Sequence, residues 1–164
     1  MRRCRKKYYR AALDHLFKND LLYPCSCSRA DIKNASSAPH NEEKLTITYP
    51  GTCRNISTSK PIKALRLNIA KAIKLYPGKY VSFLETGPAT DYSPEQKKTS
   101  KMSLEEEFGD LVIARSDIGT SYNLAVVNDD AAQNVTHVTR GNDLFSITPI
   151  QVLLQYLLNL PTPI

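Results

Sequence analysis

Two short cysteine motifs constrain this chain more than anything else in it: Tyr23-Pro24-Cys25-Ser26-Cys27, then Tyr49-Pro50-Gly51-Thr52-Cys53. A Cys-x-Cys turn followed by Tyr-x-x-x-Cys offers four donors, Cys25, Cys27, Tyr49 and Cys53, to one tetrahedral zinc ion, whose thiolate ligands sit about 2.3 Å away. The intervening stretch, residues 28–48, is polar, with Ser36, Ser37, Pro39, Asn41, Glu42, Glu43 and Lys44. Such a segment gains little by burial, so a metal clip at its base has a physical task. Three unrelated buried thiols are the competing reading. Tyr49 binds only as a phenolate, from a phenol of ordinary pKa about 10, although a metal favours that ionisation. His40, inside the stretch, is a more ordinary donor, and chemistry alone ranks His40 and Tyr49 equally. Cys4, in a basic segment, reads as a free thiol.

The chain has 164 residues with 41% hydrophobic content, so a single domain with a real core is expected. No stretch approaches the roughly 20 apolar residues of a membrane span, and no apolar run follows the basic start Met1–Lys7, as a signal peptide would require. Thiols at metal-binding spacing then point to a reducing cytoplasm. There, the glycosylation patterns at Asn34, Asn55 and Asn134 carry no meaning. The net charge of +6 and pI of about 9.1, with basic residues in 2–10 and at Lys97, Lys98 and Lys101, point to a polyanionic partner such as RNA. A merely solvated basic helix is the alternative.

Apolar residues Tyr9, Ala12, Leu13, Leu16 and Phe17 at three- and four-residue spacing predict a helix over 5–22. Residues 23–59 read as the knuckle and its loop. Strands are predicted over 64–69, 79–84 and 110–115, with 86–105 as loop and 135–141 as a short strand ending in a turn. The apolar run 122–130 fits a buried helix or a strand. A final helix is expected to reach Asn159, capped by Thr148 with Pro149 as its first helical residue. Strands alternating with helices give a mixed α/β sheet, and Arg140-Gly141 falls at a strand end, where ligands gather in such sheets. A guanidinium there can grip a carboxylate with two prongs; an ordinary surface arginine is the competing reading.

The run Tyr122-Asn123-Leu124-Ala125-Val126-Val127-Asn128-Asp129-Asp130, followed by 135–144 and Thr148-Pro149-Ile150-Gln151, resembles the catalytic domain of glutamate-specific class I aminoacyl-tRNA synthetases. With the knuckle, the resemblance covers nearly the whole chain. It is nearest to the shortened branch that lacks an anticodon-binding domain and transfers glutamate to the queuosine of tRNA(Asp). That branch carries Cys-x-Cys and Tyr-x-x-x-Cys, whereas zinc-keeping glutamyl-tRNA synthetases usually show Cys-x-His where this chain has Cys53-Arg54-Asn55. The true synthetases also usually place a histidine where Leu144 stands.

The resemblance implies a Rossmann-like class I catalytic domain, partial over 1–164, with residues 23–59 as a zinc-knuckle insertion. It promotes Tyr49 over His40 as fourth ligand and makes Tyr122 and Arg140 the glutamate contacts. It implies L-glutamate, ATP with Mg2+ and tRNA(Asp) as partners of an enzyme that is monomeric when complete. Departures accompany the matches. A His-x-Gly-His signature is missing, and Lys101-Met102-Ser103 runs into Leu104-Glu105 rather than into the family's lysine loop. Ile150 stands where the family usually has Arg, and Asn128 where it usually has a small apolar residue. The expectation is an excerpt of a longer enzyme, or a truncated product, that is inactive alone. A fragment of a discriminating glutamyl-tRNA synthetase and a non-catalytic, zinc-stabilised RNA-binding remnant are the alternatives.

Overall fold

The computed structural model describes residues 2–36, 48–56, 59–87 and 93–164, with the side chains of residues 2–5 and 36 left aside. His40, the side chain of Cys4 and most of the polar stretch between the two cysteine motifs lie outside the described residues.

Helix α1 (Arg2–Lys18) leads into strand β1 (Leu22–Cys25), followed by α2 (Arg29–Ser36), β2 (Ala64–Leu67) and α3 (Ile69–Leu75). A hairpin of β3 (Tyr80–Glu85) and β4 (Glu95–Ser100) comes next, then α4 (Lys101–Phe108), β5 (Val112–Arg115), β6 (Gly119–Thr120), α5 (Tyr122–Ala132) and α6 (Thr148–Leu157). The main sheet has the order β1-β2-β5-β6, and all of its ladders, like that of the β3-β4 hairpin, are antiparallel. The mixed α/β architecture expected from the alternating patterns is therefore present.

Local chemistry accounts for the starts of three helices. The side chains of Asn68, Ser100 and Ser121 accept hydrogen bonds from the main-chain N–H of Lys71, Ser103 and Leu124 at the heads of α3, α4 and α5. Lys101-Met102-Ser103 is thus an ordinary capped first turn. Helix α6 is the central post. Its residues 148–155 are all buried, and it packs on α5, β3 and α3. Leu153, Leu154 and Leu157 supply its apolar surface, and Gln151 and Gln155 are buried with them. Leu153 and Leu154 of α6 join Leu16, Leu67, Ile113 and Leu124 in one core cluster.

Three sequence expectations are corrected. Segment 86–105 is not all loop, because Glu95–Ser100 pairs with β3 and α4 follows directly. Lys97 and Lys98 lie on this edge strand, where charge is tolerated, and Lys101 opens α4. Residues 135–141 form no strand; instead Val138 donates to the Ile164 carbonyl at 2.8 Å, and Ile164 to that of Thr136 at 2.9 Å. Thr148 is not the cap of α6. The 3-10 turn Asn142–Leu144 feeds straight into the helix, so Ile147 sits at the cap position with helical dihedrals and no side-chain cap bond. The ambiguous run 122–130 is the helix α5.

Candidate metal centre and substrate cavity

Strand β1 ends at Cys25, the chain turns through Ser26, and Cys27 follows. The second motif returns beside it through an isolated parallel bridge between Tyr49 and Gly109. Gly109 has φ of +56°, and a Cβ there would lie 2.6 Å from the Tyr49 carbonyl oxygen. A side chain at this position would push the knuckle off the sheet.

The three sulfurs of Cys25, Cys27 and Cys53 lie within 4.8 Å of one another. Cys27 and Cys53 are 3.4 Å apart, and the Tyr49 Oη is 3.5 Å from the Cys25 sulfur and 3.6 Å from that of Cys27. A tetrahedral ion with sulfur at 2.3 Å and oxygen near 2.0 Å separates its ligands by about 3.8 Å (S to S) and about 3.5 Å (S to O). The four side chains therefore stand within a few tenths of an ångström of coordination geometry where these separations are given, and a metal ion fits between them. Tyr49 and Cys53 are buried with Cys25 in a small cluster separate from the main core. The Tyr49 oxygen also accepts the Cys53 main-chain N–H at 2.9 Å, which fixes its aim.

The thiols differ in character. Burial pushes the Cys27 thiol up to about 11, with hydrogen bonding to Cys53 adding to the rise. Burial also opposes ionisation of Cys53, but hydrogen bonds from Tyr49, the Ser26 main chain, Cys27 and Cys25 outweigh it and bring this thiol down to about 7. Burial, reinforced by hydrogen bonding to the thiols, drives the Tyr49 phenol far above its usual range, so it ligates only where a metal displaces its proton. In metal-free protein near neutral pH, the readier thiolate, Cys53, is buried and the more accessible Cys27 stays a thiol, so iodoacetamide is expected to modify both slowly, and Cys27 faster as pH rises. Peptide mapping by mass spectrometry reads both rates, and a bound metal should slow both reactions.

Behind the ligands lies a buried polar frame that the sequence pattern did not disclose. Asp110, 1% exposed, accepts from Arg54 at 2.6 and 2.8 Å, from the Ile69 main chain at 2.9 Å and from the Tyr23 hydroxyl. Arg66 donates to the Cys25 sulfur at 3.3 Å and to the Asp110 main-chain carbonyl at 2.7 Å, and its guanidinium lies 3.7 Å from the centre of the Tyr49 ring. Simple alternation places Arg66 on a solvent face of β2, but the knuckle covers that face. Nothing in the sequence distinguishes Arg66, between Leu65 and Leu67, from a solvent-facing residue of an alternating strand.

Tyr122 and Arg140, far from the knuckle in sequence, line one cavity of about 880 Å³ with Phe83, Val126, Asp130, His137, Phe145 and Gln151. Tyr122 opens α5 and is 56% exposed. Arg140 is held by the buried Gln151, whose amide oxygen accepts from the guanidinium while its amide nitrogen donates to Asn123 at 3.2 Å. Among the described residues no carboxylate forms an ion pair with Arg140. Burial lifts the Asp130 carboxyl above its ordinary range; Arg140 opposes this rise and Asp129 adds to it. The two departures noted above are both accommodated in the interior. Ile150 is fully buried, and Asn128 bonds to the Leu124 carbonyl at 2.7 Å.

Residues 3–164 match the family described as tRNA synthetases class I (E and Q), catalytic domain. The glutamyl-Q tRNA(Asp) synthetase of Rhodobacter capsulatus is 45% identical over 95% of this chain and 56% of its own length. Those of Cupriavidus metallidurans and Burkholderia mallei are 40% and 38% identical, each over 97% of this chain, and 47% and 49% of their own lengths are covered. The chain thus spans about half the length of the curated relatives it matches. Among solved structures, a glutamate-tRNA synthetase from Elizabethkingia anophelis superposes with a TM-score of 0.70 over 97% of this chain and 32% of the other, at 16% identity, a likeness of fold alone. With a family match that runs almost end to end, the chain belongs to the catalytic-domain family of the class I tRNA synthetases for Glu and Gln.

Proposed function

We propose that this chain is the amino-acid-binding and knuckle portion of an enzyme that activates L-glutamate with ATP and Mg2+ and transfers it to the queuosine of tRNA(Asp). The observation that carries the reading is the sharing of one cavity by Tyr122 and Arg140, with Arg140 free of any ion-paired carboxylate among the described residues. A guanidinium oriented by a neutral amide is set to receive an anionic group from a ligand, and glutamate brings two. The Tyr122 hydroxyl supplies a hydrogen bond at the cavity mouth. Neutral or shorter amino acids would leave Arg140 poorly matched, which is how polar sites discriminate. The names of the relatives support queuosine-bearing tRNA(Asp) as the acceptor. Residues 23–59 form, in this reading, a knuckle inserted in the partial catalytic domain of residues 1–164. Its Cys25, Cys27, Tyr49 and Cys53 hold one zinc ion with a structural role.

The test is transfer of labelled glutamate by an enzyme carrying this chain to tRNA(Asp) with queuosine, tRNA(Asp) without it, and tRNA(Glu). Charging of the first alone is expected. Charging of tRNA(Glu) would replace the reading by that of a glutamyl-tRNA synthetase, and charging of none by that of an RNA-binding remnant. On the chain itself, Arg140→Ala is expected to weaken glutamate binding about tenfold to a hundredfold, the worth of one hydrogen bond to a charged group. Calorimetric titration measures it; equal affinity would remove Arg140 from the site.

A further inference from the structure

We propose that Arg66 is the counter-charge of the metal centre and positions its ligands, a role that rests on the metal reading above. Arg66 is 7% exposed, and its guanidinium is permanently charged. A buried cation is costly unless an anion accompanies it. Among the described residues, no carboxylate pairs with it. The nearby Asp110 carboxylate is engaged by Arg54 instead, and Arg66 reaches only the main-chain carbonyl of that residue. Among the described residues its other polar side-chain contacts are with the ligand set: the Cys25 sulfur at 3.3 Å and the face of the Tyr49 ring at 3.7 Å.

Charge counting supplies what the guanidinium lacks. Three thiolates around a dication leave one net negative charge, and a phenolate adds another. Arg66 offsets one of these in a region where the low dielectric magnifies the attraction. Its N–H on the Cys25 sulfur and its plane on the Tyr49 ring also fix those two ligands relative to each other, as the outer partners of metal ligands do. The same arrangement makes Arg66 a burden in the metal-free protein. It should therefore favour the loaded state specifically, rather than the fold in general.

The experiment compares Arg66→Gln, which keeps a donor without charge, with Arg66→Lys, which keeps the charge. Arg115→Gln, at an exposed Arg–Asp pair, serves as a control. Zinc affinity is read by competition with a chromophoric chelator, ligand geometry by the thiolate-to-cobalt absorption of the cobalt(II) form, and stability by melting with and without metal. Arg66→Gln should bind zinc at least about tenfold more weakly and shift the cobalt band, while its metal-free form melts no lower than the parent's. Arg66→Lys should retain most of the affinity, and Arg115→Gln all of it. The proposal is overturned if Arg66→Gln binds zinc as tightly as the parent, or if Arg66→Lys is as weak as Arg66→Gln. It is also overturned if Arg66→Gln unfolds or melts lower in both states alike, which marks a purely structural role. A parent chain that takes up no zinc is a distinct outcome and removes the metal reading itself.

Discussion

Replacing Cys25 and Cys27 together by serine is expected to abolish zinc binding. Metal analysis should fall from close to one ion per chain to a background level. Two of the four donors would be lost, and Cys53 and Tyr49 alone cannot close a tetrahedral shell. Structural zinc in small sites contributes on the order of 10 kcal/mol of binding free energy, most of it spent on ordering the segment around the ion. Residues 48–56 should therefore become open to protease in the double variant, while the core built around α6 keeps its cooperative melt, because Tyr23, Cys25, Tyr49 and Cys53 form a cluster of their own beside the main one. Full zinc content in the double variant would rule out the cysteine centre. Single substitutions rank the fourth donor: Tyr49→Phe should weaken binding more than His40→Ala, and the opposite order would make His40 the ligand.

The convergence of the three cysteines was legible in the sequence because they are few and their spacing is local. Cys-x-Cys is a turn, and Tyr-x-x-x-Cys is another. Only the docking of the two turns on each other needed the fold. The cavity was legible in a weaker sense. Tyr122 and Arg140 could be singled out one by one through a family resemblance, but nothing in their spacing says that an α5 residue and a loop residue face the same space, or that Gln151 of α6 holds the guanidinium. The frame behind the knuckle was not legible at all. Arg66 stood in an alternating strand, at a position that alternation assigns to solvent, and Asp110 at the head of a run too apolar to mark either face. Burial by a separate segment, arriving from residues 48–56, reversed that assignment. Alternation reports which side of a strand is polar, and it is blind to polar residues that face other polar residues in the interior. The ends of the hairpin show the converse. The polar residues 95–98 read as loop because an edge strand needs no apolar face of its own.

Asp110 carries the larger consequence for folding. Asp110→Ala is expected to cost about 3–4 kcal/mol, toward the low end for breaking a buried ion pair, because Arg54, with a side chain 26% exposed, can turn toward water. The Ile69 main chain and the Tyr23 hydroxyl cannot follow it, and each would be left without its acceptor. For a domain of this size that loss is a fall of about 10 °C in melting temperature. Asp110→Asn keeps one acceptor oxygen and should lose clearly less. Zinc affinity should drop less than in Arg66→Gln, because Arg66 grips the main-chain carbonyl of residue 110, which the substitution leaves in place. The alkaline limb offers an independent check. Burial, and then the hydrogen bond to Asp110, raise the Tyr23 phenol well above its ordinary value. Stability linked to its proton is then fully present below the unfolded tyrosine pKa of about 10 and is lost as pH rises beyond it. Removing the Asp110 carboxylate takes away the second cause while burial remains, so the alkaline loss should become shallower in Asp110→Ala. Urea titrations of parent and variant across that range measure both effects. Equal midpoints near neutrality would show that Asp110 is not the tie between the knuckle and the sheet.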